Sequence, residues 1–150
     1  MVGKIVSLLA SKNGVFRETA ADRNRRITIA ACVILLEMAR ADDEVAAAEL
    51  DHVSKVLTGG LGVAPEDVDS ILAIAGRKQE EAIDLWAYTN LINEHFDTAE
   101  KQRLIEMVWE IAYADGRLDQ HEDYLVHKIA NLLHVPHGDL IAAKLRAKNG

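Results

Sequence analysis

A chain of 150 residues is about the size of one domain, and can bury roughly two-thirds of its unfolded surface. Its net charge of −7 argues against a nucleic-acid binder, which needs a basic footprint on phosphate, and its one cysteine, Cys32, excludes an internal disulfide. Only 5% of the residues are aromatic and two are proline, while Ala, Leu, Ile, Glu and Lys dominate, a mixture that favours helix over sheet.

Val2, Ile5, Val6 and Leu9 follow helical spacing up to Gly14 and predict a short amphipathic helix. The apolar-rich run Ile5 to Ala10 is too short for a signal-peptide core or a spanning helix, so a cytoplasmic location is expected. Residues 1–26 hold six basic side chains (Lys4, Lys12, Arg17, Arg23, Arg25, Arg26) and two acidic ones (Glu18, Asp22), net +4, leaving −11 on the remainder. This charge change predicts an N-terminal arm over residues 1–21, separate from a helical domain over 22–150. Peripheral contact of residues 1–26 with an anionic inner membrane face is the expectation for a basic amphipathic segment.

Helical patterning predicts a second helix over about 22–41 and a third over 46–57. The run Ala30 to Leu36 places Cys32 among apolar neighbours as a buried thiol. Thr58-Gly59-Gly60-Leu61-Gly62 breaks the chain, and Pro65 suits the first turn of a fourth helix ending near Gly76. A fifth is predicted over 80–96, and a sixth from an N-capping Thr98 to Ala114. A seventh covers 120–133, and Pro136 opens an eighth that closes with Lys144, Arg146 and Lys148, suited to a helix C-terminus. The fold class is therefore all-α: one domain of seven to eight helices.

Glu37-Met38-Ala39-Arg40-Ala41-Asp42-Asp43-Glu44-Val45 recurs 73 residues later as Glu110-Ile111-Ala112-Tyr113-Ala114-Asp115-Gly116-Arg117-Leu118. At the same offset Glu49 falls on Glu122, Val53 on Val126 and Lys55 on Lys128; with one residue dropped, Val63 to Val68 falls on Val135 to Leu140. The chain reads as a duplicated helical unit, with repeats over about 22–76 and 98–148.

A helix ending in A-x-A-D-G, then a hydrophobic residue, then D-x-x-E opening the next helix resembles the TerB-like family of tellurite-resistance proteins. The second copy, Ala112 to Glu122 followed by Ile129 to Val135, carries the closer match; in the first, Asp43 replaces the glycine and Ala46 the capping aspartate. The resemblance spans residues 22 to 147. It implies an all-helical domain with approximate two-fold internal symmetry, associated with tellurite or broader stress resistance and with metal binding.

The stripes Ala31, Ile34, Leu35, Met38 and Leu104, Val108, Ile111 continue to Asp42 and Asp115, so both aspartates are predicted to face inward. Glu49 shares a stripe with Val53, Val56 and Leu57, and Glu122 one with Leu125, Val126 and Ile129. One reading of these acidic turns is capping: Asp115 accepts free amides, Gly116 takes a left-handed cap, and Asp119 with Glu122 forms a capping box. The other places a divalent cation (calcium, magnesium or manganese) between Asp42, Glu49, Asp115 and Glu122, whose oxygens suit a hard ion. An EF-hand loop fails, because Ile111 and Tyr113 occupy its earlier ligand positions.

His134 and His137 flank a helix break, and His52, His95, His121 and His127 are scattered among polar positions without zinc-ligand spacing. Trp86, Tyr88, Phe96 and Trp109 are expected to line the core or a groove for a partner helix. Three functions follow: a non-enzymatic module binding a protein partner and a cation, a metal-dependent enzyme using the acidic turns, and a scaffold in which those turns only cap helices.

Overall fold

The computed structural model describes residues 18–40, 47–114, 116 and 118–149, and only the backbone of 47–49. Among these residues the chain forms α1 (Ala20–Ala39), α2 (Ala47–Gly59), a 3-10 turn (Pro65–Asp67), α3 (Val68–Glu81), α4 (Trp86–His95), α5 (Thr98–Ala112), α6 (Gln120–Leu132) and α7 (His137–Asn149), with no strand. The class is all-α, as the composition predicts. The amphipathic stretch over residues 2–9 lies outside the described residues.

Thr19 Oγ1 accepts the Asp22 amide at 3.0 Å and starts α1; a cap of this kind stabilises by about 1 kcal/mol. Every residue from Ala30 to Leu36 is buried, as are Met38 and Ala39. A helix apolar around its circumference must be enclosed, and α2, α3, α4, α5 and α6 all pack on α1. Cys32 sits at this centre with no exposure, and burial pushes its thiol up to about 12. The stripes leading toward Asp42 and Asp115 are buried along their lengths, as are Val53, Val56, Leu57, Leu125, Val126 and Ile129.

In each half the first helix packs most closely on the third, α1 on α3 and α5 on α7. The loops that close α2 and α6 also share a backbone feature. Gly62 (φ 68°) and His134 (φ 57°) are both left-handed, and they immediately precede Val63 and Val135, which the one-residue deletion aligns. Val135 N donates to Ala130 O at 2.9 Å and His134 N to Asn131 O at 3.1 Å, satisfying carbonyls that the end of α6 leaves open.

Several boundaries differ from the sequence prediction. Gly76 lies inside α3 rather than ending it, because one interior glycine costs only about 1 kcal/mol and α3 is held by its packing on α1. The chain breaks instead at Ala82, where the backbone turns extended (ψ 130°), and Asp84 Oδ1 accepts the Trp86 amide at 2.9 Å to start α4. Thr98 is the first helical residue of α5 and Asp97 is its cap: Asp97 Oδ1 accepts from Glu100 N at 2.8 Å while Glu100 Oε1 accepts from Asp97 N at 2.9 Å. Pro136 precedes α7, its carbonyl accepting from Leu140 N at 3.0 Å. Gly116 is left-handed (φ 85°) as predicted, but three residues beyond the cap of α5, which is Tyr113.

Candidate functional site

Of the four carboxylates expected to share a cation, Asp42 and Asp115 lie outside the described residues, and Glu49 is described only as backbone within α2. Glu122 stands in the first turn of α6 with 5% exposure. Its amide donates to Asp119 Oδ1 at 2.7 Å and its Oε1 accepts from Asp119 N at 3.4 Å, the reciprocal box the sequence predicts. Among the described residues no group of three or more His, Cys, Asp and Glu is placed to hold a metal ion. The donor chemistry of the four residues, carboxylate throughout, suits a hard cation.

The glutamate that opens the repeated motif is used differently in its two copies. Glu37 Oε2 accepts from Gln79 Nε2 at 2.7 Å, and Arg40, three residues on, donates to Glu80 Oε1 at 2.7 Å, so the first copy ties α1 to α3. In the second copy Glu110 accepts from Arg103 on its own helix at 3.4 Å. The histidines are mostly peripheral, but α6 and α7 bring the His127 and His137 rings to 6.1 Å, a pairing that no sequence spacing announces.

Two grooves flank the N-terminal half of α1. The larger, about 840 Å³, runs between α1, the loop after α2, the α4–α5 connection and α5. Its floor is apolar (Ile27, Leu61, Val63, Ile71, Phe96, Met107), and its rim carries Arg25, His95 and Arg103 beside Asp67 and Glu100. The loop approaches α5 closely: a Cβ on Gly60 would stand 2.6 Å from Met107 Cε and 2.9 Å from the Val56 carbonyl. The sequence marks Thr58 to Gly62 as a chain break, whereas Thr58 and Gly59 complete α2 and Gly60 to Gly62 wall the groove, a role that no spacing announces.

The second groove, about 550 Å³, lies between α1, the end of α3 and α4. Ile29, Trp86, Tyr88 and Leu91 form its apolar part. At one edge Arg26 donates through Nε and Nη2 to both oxygens of Glu18, each at 2.9 Å. That guanidinium holds the Glu18 carboxyl below the usual carboxylate range, and the carboxylate in turn pushes Arg26 up.

The two tryptophans have opposite surroundings. Trp109 is wholly buried, with Nε1 donating to Leu140 O at 3.1 Å, Tyr113 stacked at 6.1 Å and Lys144 Nζ 5.0 Å from the ring centre. Trp86 is 61% exposed beside the smaller groove, and neighbouring Ile83 is fully exposed.

Among the described residues, the class defined by this architecture is an all-helical domain packed around the buried C-terminal half of one central helix, with grooves along that helix's exposed N-terminal half. Residues 28–145 match the family model for tellurite resistance protein TerB, and the chain belongs to that family. No curated protein and no solved structure shows a significant match.

Proposed function

We propose that this chain is a non-enzymatic interaction module of the tellurite and stress response, receiving an amphipathic helix of a protein partner in the 840 Å³ groove and a divalent cation at its acidic turns. The groove carries the reading. Its lining sets apolar side chains (Ile27, Leu61, Phe96, Met107) among polar and charged ones of both signs, a mixture that suits a helix with one apolar and one polar face. Membership in the TerB family, named for tellurite resistance, supports that setting.

The test is survival on tellurite of a sensitive bacterial host expressing the chain. The parent is expected to protect, and Leu61→Glu, which places a charge on the half-buried groove wall, to lose most of that protection while keeping its helical signal and a cooperative melt, at a somewhat lower temperature. Equal protection by the folded variant would remove the groove from the function. No protection by the parent would remove the tellurite role.

The reciprocal Asp119 and Glu122 hydrogen bonds favour a second reading for the acidic turns, in which they cap helices and the chain is a scaffold. The two readings predict opposite responses to neutralising Asp42 and Asp115.

A further inference from the structure

A two-fold contact joins the same patch of two copies, so the patch has to complement itself: a knob beside a hole, with charges of both signs around them. The smaller groove meets each condition. Its hole is the 550 Å³ space floored by Ile29, Tyr88 and Leu91. Its knob is Trp86, 61% exposed on the same lining and held in place as the first residue of α4, where its amide donates to Asp84 Oδ1 at 2.9 Å. Ile83, three residues earlier in the connection from α3, is fully exposed. Large apolar side chains this open to solvent mark an interaction surface, and tryptophan is among the residues that dominate the centres of protein contacts.

The charges fit a second copy better than a partner of one sign. Three acidic side chains (Glu18, Asp22, Glu94) and three basic ones (Arg25, Arg26, Lys78) line the groove. The Glu18 and Arg26 pair is closed within the chain, whereas among the described residues Asp22, Glu94, Arg25 and Lys78 form no ion pair. Two acids and two bases are thus left for a second copy, acids of one rim meeting bases of the other. Two chains of net charge −7 repel each other as wholes, but across this lining the charge sums to zero. The larger groove also has a mixed rim, yet none of the large apolar side chains exposed on the described surface (Leu50, Ile83, Trp86, Tyr124, Leu145) lines it. It is a hole without a knob.

We propose that two copies of this chain pair through the smaller groove about a two-fold axis, the Trp86 indole of each entering the groove of the other.

Sedimentation velocity of the full chain over a dilution series tests this. Acrylamide quenching is the second readout, because Trp109 is buried and Trp86 is the only other tryptophan. The parent is expected to dimerise, with Trp86 shielded in the dimer and quenchable once dilution gives the monomer. Trp86→Ser is expected to be monomeric at every concentration with its helical signal unchanged. Reversing the rim charges tests the symmetry: Arg25→Glu/Lys78→Glu makes the free charges all acidic, and Asp22→Lys/Glu94→Lys makes them all basic. Each variant alone is expected to be monomeric, and an equimolar mixture of the two to associate, since opposite rims then meet. A parent that stays monomeric up to about 1 mM, the weak end of the affinity scale, overturns the proposal. A dimer that survives Trp86→Ser also overturns it, placing the contact elsewhere, as do a mixture that fails to associate and a Trp86 that is equally shielded in the monomer.

Discussion

Glu122 combines three properties at one residue: it is buried, it stands in the first turn of α6, and it exchanges hydrogen bonds with Asp119. A cap accounts for its position, and a cation shared with Asp42, Glu49 and Asp115 is the second use proposed for it. Linkage separates them. A ligand that binds only the folded state stabilises it by about 2.7 kcal/mol at a hundredfold excess over its dissociation constant. With a cation site, calcium, magnesium or manganese raises the melting temperature of the parent, and Asp42→Asn/Asp115→Asn abolishes the rise. That variant also melts higher than the parent in metal-free buffer, because crowded carboxylates have been neutralised. If the turns only cap, no metal shift occurs and the variant melts lower, since an amide oxygen accepts weaker hydrogen bonds than a carboxylate. Of this candidate site, the inward direction of the Glu122 stripe and the Asp119 box were legible in the sequence, because both follow from three- and four-residue spacing.

At the scale of the element, helix starts are decided by short side-chain circuits. The Asp97 and Glu100 box that begins α5 is written as D-x-x-E, and the adjacent Thr98, itself a good capping type, obscures it. Asp97→Ala is expected to cost about 1 kcal/mol, lowering the melting temperature by about 3 °C for a domain of this size; Thr98→Ala should change it by much less. Thermal melts followed by circular dichroism decide which residue is the cap. Gly76 and the Ala82–Leu85 break were misread for a related reason. Local propensity marks glycine as a stop, but α3 continues through Gly76 under its packing on α1, and the chain turns where Asp84 captures the Trp86 amide.

At the scale of the whole molecule, α1 is the shared core of both halves. It packs on α2 and α3 from the first half, on α4, and on α5 and α6 from the second. Neither half can therefore bury its own apolar face, and a fragment of residues 98–150 is expected to lack a cooperative thermal transition at concentrations where the full chain melts sharply. A sharp melt of that fragment would show the second repeat to be an independent folding unit. The sequence by itself determined the all-helical class, the repeated motif, the buried Cys32 and the order of the helices, because all of these depend on local propensity and a period of 3.6 residues. Only the tertiary structure decided that Trp109 is enclosed while Trp86 is exposed, that Gly60 to Gly62 wall a groove, and that His127 meets His137. Those facts depend on which helix faces which across separations of tens of residues, and packing complementarity between distant side chains leaves no periodic trace in the chain.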